Sequence, residues 1–423
     1  MKIIIAHYKF YIQGGPERYM LKFMRLAEEH GHTVIPFSVD YEQNMDSEYS
    51  KYFVASANKK NAEKSAASKL TPVSIVKGIW YEFHNHGAYK KLRQLIHDVC
   101  PDLLYVLIPG ALSPDIFEAA KKENIPIILR LSDFRLLCGK NVLLREEEIC
   151  EECIYGNYKC MIKHRCVHGS KMLTTLRMLS LSYHRKHKSY RSVDAVIAPP
   201  KFTGDKYIES GYFPKDKVHL NPTFIDCSTF EPNYEHKNYV LCLGRFSLEK
   251  GFIYAVEAMR YLKELPVTIA ITGDWENCDA QLKQVIEKYE LREKIKFVGF
   301  LHGDALEKMI REALCVACPA IWYDNLPNVV LEAYAYGKPV IASDIGSLAE
   351  IVEDGRTGLL FEPKNPEQIA ECIRKLYENP ELTHQLGRNA RAEVEDYYSP
   401  EKHWEKFIEI CRTIGVAYTE VSK

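Results

Sequence analysis

The stretch Tyr239-Val-Leu-Cys-Leu-Gly-Arg-Phe-Ser-Leu-Glu-Lys-Gly251 joins a short apolar run to a turn bracketed by two glycines. The apolar run Tyr239–Leu243 is too short for a helix and predicts a buried strand. Gly244 and Gly251 permit positive φ, and a helical pattern follows them. A strand, a glycine-rich turn and a helix in this order predict the start of a βαβ unit.

The first residues of the chain repeat this order. Lys2–His7 predicts a buried strand, Gly14-Gly15-Pro16-Glu17 predicts the turn, and a helix extends to about His30. Further strands are predicted at His32–Ser38, Leu103–Ile108, Ile125–Leu131, Asp194–Ala198, Lys217–Asn221, Val267–Thr272, Ile295–Val298, Leu314–Cys318 and Val340–Ser343. Strands that alternate with helices form parallel sheets with right-handed crossovers. The predicted fold is therefore α/β, with two Rossmann-like domains whose parallel sheets face a central cleft.

The composition narrows the function classes. The chain has 423 residues, a formal net charge of -1 and 13 cysteines. A charge near zero gives no general affinity for nucleic acid. The N-terminal apolar run is too short for a signal peptide, and no stretch reaches the ~18 apolar residues that span a membrane. We therefore expect a cytoplasmic protein with reduced cysteines, of which Cys242, Cys315 and Cys318 are small core residues.

A second junction between a loop and a helix carries two carboxylates, Asp324 and Glu332. Pro327 is predicted at the first helical position, where its missing N–H costs nothing, and Gly337 ends the helix. Glu332 leans back toward the loop because helical side chains tilt toward the N-terminus, where free N–H groups favour an anion. This arrangement suits a sugar nucleotide, with the diphosphate on the N–H groups and the ribose hydroxyls on Glu332. A capped amphipathic helix behind an acidic loop is the plain alternative.

Arg245 and Lys250 are the cations of the turn quoted above. A planar guanidinium suits bidentate contact with a phosphate, and an ammonium adds a compact charge. Both groups are suited to stabilise a departing nucleoside diphosphate. A solvated loop is the alternative, but the acidic loop at Asp324 favours the ligand site.

The first half of the chain contains two further candidate ligand-binding positions. Gly14 and Gly15 allow an anion or a sugar to approach the backbone, although an ordinary tight turn also uses such residues. Asp133 follows a predicted strand, and ligands in open α/β sheets lie at the carboxyl ends of strands. A solvated loop aspartate is the alternative at that position.

A cysteine-rich excursion follows Asp133. One Cys-x2-Cys pair flanked by single cysteines predicts a tetrahedral structural zinc site, which would stabilise an excursion without a core of its own. The predicted ligands are Cys138, Cys150, Cys153 and Cys166. Cys160 or His164 could replace one of them, and free thiols or a redox pair are the alternatives.

The segment from Tyr158 to Val193 contains no acidic residue. Its cations are Lys159, Lys163, Arg165, Lys171, Arg177, Arg185, Lys186, Lys188 and Arg191. Its apolar residues Met172, Leu173, Leu176, Leu179 and Tyr183 are predicted to share one helical face. The segment favours docking on an anionic membrane surface or a lipid-diphosphate acceptor, or else it is a solvated helix packed on its own domain. The polar segment Asn44–Lys69 is predicted to be a loop or a solvated helix.

Together these motifs resemble the retaining GT-B glycosyltransferases of family four, which include bacterial polysaccharide and lipid-linked oligosaccharide transferases. The resemblance covers nearly the whole chain. It is carried by Gly14-Gly15-x-Glu17, Gly244-Arg245…Lys250-Gly251, Asp324-x7-Glu332-Ala333, Gly346-Ser-Leu-Ala-Glu350 and Asp354-Gly355-x-Thr357-Gly358. It implies two Rossmann-like domains, a donor site in the second of them, and no catalytic metal.

The resemblance also implies the domain boundaries. An acceptor-binding domain would cover residues 1–230, with the cysteine-rich basic insertion at about 138–191. A nucleotide-sugar-binding domain would cover 236–395. A C-terminal helix within 396–423, which contains Trp404, would cross back to the first domain.

Residue by residue, the resemblance implies that Arg245 and Lys250 hold the donor diphosphate. Asp324 would face the donor sugar, Glu332 would bind the ribose hydroxyls, and Asp133 would lie near the reacting groups. The rest of the implied donor-binding set is Gly14, Gly15, Asn325, Leu326, Pro327, Asn328, Gly346, Ser347 and Glu350.

The chain departs from the family pattern at three positions. Asp324 stands where relatives carry a glutamate and is one methylene shorter, which bears on the identity of the donor. Ser132 stands where relatives commonly carry a histidine, so no acid or base role is assigned to it. Ser347 replaces a usual glycine.

The predicted reaction is therefore transfer of a sugar from a nucleotide sugar (UDP-, GDP- or another NDP-sugar) to an acceptor hydroxyl, with retention at the anomeric carbon. The expected acceptor is a glycan or a lipid-linked glycan, and the expected location is the cytoplasm, including the inner face of the membrane. A nucleotide-sugar epimerase of the same fold and a non-catalytic sugar-nucleotide-binding subunit are the alternatives.

Overall fold

A computed structural model describes residues 1–56, 80–81, 83–276 and 278–418, and the chain divides into two compact units. The first unit contains Met1–Asn141, Glu151–Asn221 and Trp404–Lys423. The second contains Val142–Cys150 and Pro222–His403. Of the segment Asn44–Lys69, residues 57–69 lie outside the described part.

The residues before Pro222 alternate between strands and helices, as their sequence predicts. The strands are β1 (Lys2–His7), β2 (Thr33–Phe37), β3 (Val39–Asp40), β4 (Val54–Ala55), β5 (Leu103–Ile108), β6 (Ile127–Arg130), β7 (Leu144–Arg145), β8 (Glu148–Ile149), β9 (Ala195–Ala198) and β10 (Val218–Leu220). The helices are α1 (Gly15–Glu29), α2 (His86–Val99), α3 (Asp115–Lys122), α4 (Cys160–His164), α5 (Lys171–Lys186) and α6 (Lys201–Glu209).

The first unit is built on a parallel sheet with the strand order β10-β9-β6-β5-β1-β2. Ile3, Ile4 and Ile5 in β1 are all fully buried, because helices cover both faces of such a sheet and its strands are apolar throughout. Parallel strands end at one common edge, so the residues that follow β1 and β6 lie at the same edge of this sheet.

The second unit repeats this arrangement. Its strands are β11 (Tyr239–Cys242), β12 (Thr268–Ile271), β13 (Ile295–Phe297), β14 (Cys315–Cys318), β15 (Val340–Ser343) and β16 (Gly358–Phe361). Its helices are α7 (Phe252–Ala258), α8 (Ala280–Lys288), α9 (Asp304–Arg311), α10 (Asn328–Ala335), α11 (Gly346–Ile351), α12 (Pro366–Glu378) and α13 (Pro380–Asp396), followed by α14 (Pro400–Thr413). The strand order is β13-β12-β11-β14-β15-β16, and every pairing is parallel. The prediction of two Rossmann-like halves is confirmed.

Two apolar clusters cover the two faces of this second sheet. Val240 and Cys242 belong to one cluster and Leu241 to the other, because successive side chains of a strand point to opposite faces. The sequence reading missed β16, whose first residue is Gly358. A Cβ atom at Gly358 would lie 2.0 Å from the carbonyl oxygen of Val340, so glycine is what allows this strand to pair.

The basic helix α5 buries only part of the face on which its apolar residues were predicted. Leu173, Leu181 and His184 form its buried face, whereas Met172 and Leu179 are 57% and 51% exposed. Leu173 is therefore packed on the domain while Met172 and Leu179 are exposed to solvent, so the choice between docking on a surface and packing within the domain stays a prediction. Over the described residues, the structure contains no helix that combines the length and the apolar character needed to cross a membrane.

The last helix, α14, begins in the second unit and ends in the first. From Trp404 onward it packs within the first unit. The Trp404 ring stacks on His30 with centroids 4.8 Å apart, and Phe407 contacts Phe23 at 4.8 Å. Both ring pairs are close enough to add stabilisation beyond simple apolar burial.

Candidate functional site

The turn Gly244–Gly251 leaves the end of β11 and is fixed at both ends. The N–H of Gly244 donates to the hydroxyl of Thr272 at 3.1 Å. Gly251 has a φ of 65°, and a Cβ atom there would lie 1.9 Å from the carbonyl oxygen of Pro319. The turn therefore packs against the chain that leaves β14, which is the chain that carries Asp324.

Lys250 and Asp324 form an ion pair across these two loops. The Lys250 Nζ lies 2.6 Å from the Asp324 Oδ2, and their side chains are 24% and 16% exposed. Burial alone would lower the pKa of Lys250, but the Asp324 carboxylate outweighs this effect and raises that pKa. The ammonium is therefore charged and held in place at the carboxyl ends of the strands.

The loop around Asp324 is held by short-range contacts. The N–H of Asn325 donates to the Asp324 Oδ1 at 3.0 Å. The buried Ser347 hydroxyl donates to the carbonyl oxygen of Asp324 at 2.6 Å. A glycine at position 347 could not make this second bond, so the serine fixes the loop to the start of α11.

Helix α10 begins one residue later than expected. Pro327 is extended, with φ -72° and ψ 115°, and precedes the helix, which starts at Asn328. The expected first-turn position of Pro327 is thus corrected to the N-cap, since its ψ is not helical. Glu332 lies inside the helix and Asp324 in the loop before it, as predicted.

The other predicted donor-site residues of the second unit lie in the same two loops, on α10 or on α11. Arg245 is exposed, and within the described part of the chain it forms no ion pair. Leu326 is half-buried and packs against the core of the unit. Gly346, with a φ of 56°, begins α11, and Glu350 lies on the exposed side of that short helix. The structure therefore brings Lys250, Asp324 and Ser347 into direct hydrogen-bonded contact.

Two residues of this site were missed by the sequence reading. The Lys250 Nζ lies 5.5 Å from the centroid of the Trp322 ring, which is a cation–π distance. The Trp322 Nε1 and the Ser247 Oγ are both buried and lack a hydrogen-bond partner among the described residues. Buried polar groups are normally hydrogen-bonded, so these two are candidates to bind a ligand. An aromatic residue beside the acidic loop and a serine inside the glycine turn were the available signals.

In the first unit, Glu17 links the glycine turn to β1. The N–H of Gly14 donates to the Glu17 Oε2 at 2.8 Å, and the Glu17 Oε1 lies 3.6 Å from the His7 Nε2. Burial, together with the smaller effects of the nearby Arg135 and Lys9, lowers the pKa of His7 to about 3. The Nδ1 of the neutral ring accepts the N–H of Lys9 at 3.0 Å, which assigns the proton to Nε2, facing Glu17.

The carboxylate of Asp133, which follows β6, forms an ion pair with Arg135. The Arg135 guanidinium donates to both of its carboxylate oxygens, with Nε 2.9 Å from Oδ1 and the closer terminal nitrogen 2.7 Å from Oδ2. Such a bidentate pair is rigid and strong. The Ser132 hydroxyl donates to the carbonyl oxygen of Leu107 at 3.2 Å. The sequence reading missed Arg135, although it lies two positions after Asp133.

The structure does not assemble the four predicted zinc ligands. Cys150 ends the segment Val142–Cys150, which is grouped with the second unit, and its sulfur lies 3.7 Å from the Arg145 guanidinium. Cys138, Cys153 and Cys166 belong to the first unit. Across the residues that the structure describes, no group of three or more His, Cys, Asp or Glu side chains is placed to hold a metal ion.

Cys160, which the sequence analysis allowed as a replacement for one predicted ligand, lies beside Cys153. Its sulfur lies 3.2 Å from the Cys153 sulfur and 2.8 Å from the carbonyl oxygen of Asn157. Burial raises the pKa of Cys153, as does the contact with Cys160. The thiol of Cys153 therefore keeps its proton in the metal-free protein. These cysteines pack with Tyr158, Met161 and Leu181 in a small apolar cluster.

The second unit matches a known family. Residues 228–393 match the family described as "Glycosyl transferases group 1". This range begins before β11 and ends within α13, so it includes the Lys250–Asp324 pair and the whole second sheet.

Individual relatives match part of their length. An uncharacterized glycosyltransferase of Methanocaldococcus jannaschii is 31% identical over 166 residues, which cover 39% of this chain and 42% of the relative. The alpha-D-kanosaminyltransferase of Streptomyces kanamyceticus is 28% identical over 241 residues, or 53% of this chain and 62% of the relative. The chain thus spans about half the length of these curated relatives.

Solved structures resemble the whole chain. The crystal structure of Anabaena HepE in complex with UDP and glucose superposes with a TM-score of 0.65 and 17% identity, over 98% of this chain and 100% of that one. At that identity the similarity shows the fold alone. The chain has the GT-B fold of two Rossmann-like halves, and its residues 228–393 form a glycosyltransferase domain of group 1.

Proposed function

We propose that this chain transfers a sugar from a nucleotide-sugar donor to an acceptor hydroxyl, with retention of the anomeric configuration. The observation that carries the proposal is the partly buried ion pair of Lys250 and Asp324, 2.6 Å apart, whose lysine lies in the same turn as the exposed Arg245. Two cations at the carboxyl end of a parallel sheet suit a diphosphate ligand. The match of residues 228–393 to the group 1 glycosyltransferases supports this ligand class.

The leaving group sets the main chemical task of the site. When the bond between the anomeric carbon and the diphosphate oxygen breaks, negative charge develops on the nucleoside diphosphate. Arg245, Lys250 and the first N–H groups of α10 would stabilise that charge, since a helix N-terminus favours anions. Each such charged donor is worth roughly 3 kcal/mol when it is preorganised.

The acidic residues of the second unit would bind the rest of the donor. Asp324 holds Lys250 and would meet the sugar hydroxyls, while Glu332 would accept from the ribose hydroxyls. The backbone groups of Asn325 and Asn328 would approach the phosphates. Gly346, Ser347 and Glu350 would complete the donor site, in which the Ser347 hydroxyl fixes the loop.

Retention would follow from attack on the face that the diphosphate leaves. The acceptor oxygen forms the new bond to the anomeric carbon, and its proton passes to an oxygen of the departing diphosphate. Asp133 would act through Arg135, which it holds with three side-chain hydrogen bonds, at the end of the first sheet together with the Gly14–Gly15 turn. No step needs an acid or base at Ser132.

For the donor and the acceptor we propose a UDP-sugar first, since a protein of the same fold was solved with UDP. The proposed acceptor is a glycan or a lipid-linked glycan of a bacterial surface polysaccharide. The basic segment from Tyr158 to Val193 supports action at the inner face of a membrane.

The test is an assay of the purified full chain with a panel of nucleotide sugars, in which released nucleoside diphosphate is measured with and without glycan acceptors. We expect acceptor-dependent release, and nuclear magnetic resonance of the product should show the anomeric configuration of the donor. Arg245→Ala and Glu332→Ala should each abolish most of this release, whereas the exposed Lys263→Ala should not.

Other outcomes would replace the proposal. Conversion of the nucleotide sugar to an epimer without any acceptor would identify an epimerase. Binding of a nucleotide sugar without turnover or hydrolysis would identify a binding subunit. Full activity in both Arg245→Ala and Glu332→Ala would contradict the assigned donor site.

A further inference from the structure

A cavity of the first unit lies away from the carboxyl ends of the strands discussed above. Its volume is about 740 Å³, which is the size of a pocket for a small organic ligand. Its lining comes from the end of α5, the residues before β9, and the chain between α6 and β10. These segments precede β9 and β10, so the cavity lies at the amino ends of the strands, opposite the edge that carries Asp133.

The charged residues that line this cavity are all cations. Five cations line it, and no Asp or Glu is among its described lining residues. The cations are Arg185, Lys188, Arg191, Lys215 and Lys217. A cavity whose described lining carries several cations and no carboxylate attracts anions.

The two inner cations are held by neutral oxygens alone. The Arg185 guanidinium donates to the carbonyl oxygen of Ile154 at 2.9 Å and to that of Ser210. The Lys217 Nζ donates to the carbonyl oxygen of Val193 at 2.5 Å. These bonds fix the position of both charges but leave them uncompensated.

The outer cations are exposed and available. Lys188, Arg191 and Lys215 all lie on the surface, and within residues 83–276 no ion pair engages any of them. Their charges therefore add to the field of the cavity without local neutralisation.

Tyr212 adds an unpaired donor to this lining. Its hydroxyl is buried and lacks a hydrogen-bond partner among the described residues. Burial raises the pKa of Tyr212, so the hydroxyl keeps its proton and can donate. A buried hydroxyl without a partner costs free energy that a bound oxygen atom would recover. The rings of Tyr190, Tyr212 and Phe213 form an apolar wall beside the cations.

We propose that this cavity is a binding site for a phosphate-bearing ligand, separate from the nucleotide-sugar site. The phosphate would contact Lys188, Arg191 and Lys215 and accept from the Tyr212 hydroxyl, while the aromatic wall would cover the rest of the ligand. Phosphate suits the site because multiple cations and a hydroxyl donor match its several oxygens. The source is either a lipid headgroup or a soluble phosphorylated molecule, and the proposal does not depend on the transfer reaction.

The test uses the full chain and two probes. Inorganic pyrophosphate is titrated by calorimetry at low salt, and binding to phosphatidylcholine vesicles is measured with and without phosphatidic acid. The test variant is Lys188→Ala, Arg191→Ala and Lys215→Ala combined. The matched control combines Lys263→Ala, Lys308→Ala and Lys375→Ala, which are exposed and belong to the second unit.

We expect the triple variant to bind the effective probe at least ~10-fold more weakly, since it loses three charged contacts. The control triple should bind like the wild type. Tyr212→Phe removes one hydroxyl alone and should weaken binding by up to about 10-fold. If the triple variant has a lower melting temperature than the wild type, Tyr212→Phe replaces it as the test variant. Arg245→Ala separates the two sites, because pyrophosphate bound in this cavity survives that substitution.

The outcomes decide both the site and the source. Binding of phosphatidic acid vesicles without binding of pyrophosphate assigns a lipid headgroup, and binding of pyrophosphate assigns a soluble ligand. The proposal is overturned if the wild type binds neither probe, or if the triple variant and Tyr212→Phe both bind as tightly as the wild type. It is also overturned if Arg245→Ala alone removes all pyrophosphate binding and no vesicle binding is seen.

Discussion

The ammonium nitrogen of Lys250 lies 2.6 Å from a carboxylate oxygen of Asp324, although the two residues are 74 positions apart. The contact joins the turn after β11 to the loop after β14, which are neighbouring strands of the second sheet. The carboxylate keeps the partly buried lysine charged and fixes the position of its ammonium group. The proposed stabilisation of a leaving diphosphate depends on this pair.

Removal of the Lys250 charge should slow the proposed transfer more than removal of the Asp324 charge. Lys250→Ala deletes a preorganised cation, and we expect kcat to fall by ~100-fold. Asp324→Asn keeps a hydrogen-bond acceptor beside the ammonium, so we expect a smaller loss. Steady-state kinetics with the best donor measures both. Equal kcat in Lys250→Ala and the wild type would remove Lys250 from the mechanism.

Arg245→Ala should affect activity without affecting stability. Its side chain is exposed and forms no ion pair in the described part of the chain, so its loss leaves no buried group unsatisfied. We expect a ~100-fold loss of kcat/KM and an unchanged melting temperature. Lys263→Ala, which removes an exposed charge elsewhere in the same unit, is the control. A lowered melting temperature in Arg245→Ala would indicate a structural role instead.

Gly251→Ala should destabilise the second unit. Its φ of 65° disfavours a side chain, and the new Cβ would lie 1.9 Å from the carbonyl oxygen of Pro319. We expect a loss of about 3 kcal/mol or more, measured by urea unfolding.

Gly355→Ala separates the two causes of that loss. Gly355 has a φ of 73°, but a Cβ atom there meets nothing within 4 Å. Its cost should be only the backbone strain, roughly 1–2 kcal/mol. Equal losses in Gly251→Ala and Gly355→Ala would mean that the contact with Pro319 relaxes at no cost.

Asp133 and Arg135 should act as one unit. Their three side-chain hydrogen bonds predict that Asp133→Asn and Arg135→Ala give non-additive losses of activity in a double-mutant cycle. The double variant should be little worse than Arg135→Ala, because Asp133 acts through the arginine. Kinetics of the three variants gives the coupling energy. Strictly additive losses would show that Asp133 has a separate role.

Lys338 predicts a pH dependence of stability. It is 1% exposed, its Nζ donates to the carbonyl oxygen of Glu235 at 2.7 Å, and burial lowers its pKa from 10.5 to about 7. Between these values the unfolded chain binds a proton that the folded chain does not. The free energy of unfolding should therefore decrease as the pH falls from about 10 to 7, by up to about 1.4 kcal/mol per pH unit.

Lys338→Met removes this dependence, so its stability relative to the wild type should be highest near pH 7 and should decline toward pH 10. Urea unfolding at several pH values measures the difference. The exposed Lys375→Met is the control and should show no such trend. A constant difference between Lys338→Met and the wild type across this range would contradict the buried-lysine argument.

The sequence predicted the second-unit site better than the first. Gly251 and Asp324 carry strong local signals, because few residues allow that backbone and few acids precede a helix in that way. Asp133 was correctly placed at the end of a strand, but its partner Arg135 was overlooked. A side-chain pair two positions apart depends on the path of the loop, and no periodic pattern reports that path.

In the cysteine-rich segment, by contrast, the sequence spacing did not predict which side chains meet. Its spacing resembles a zinc site, yet Cys150 belongs to a segment grouped with the second unit, and Cys160 meets Cys153 instead. The spacing of cysteines constrains which sulfurs can meet only when the chain between them is compact. Here a hairpin, β7 to β8, diverts the chain between Cys138 and Cys150.

Local sequence patterns are enough to define the two α/β halves, because periodicity and glycine turns set where apolar strands and amphipathic helices form. The sequence also determined the types of residue in the donor site. Only the folded chain shows that Lys250 meets Asp324, that Arg135 pairs with Asp133, and that the described lining of one cavity holds five cations and no carboxylate. These relationships arise between distant parts of the chain or along irregular loops, and they depend on how strands are ordered in a sheet, which no local pattern encodes.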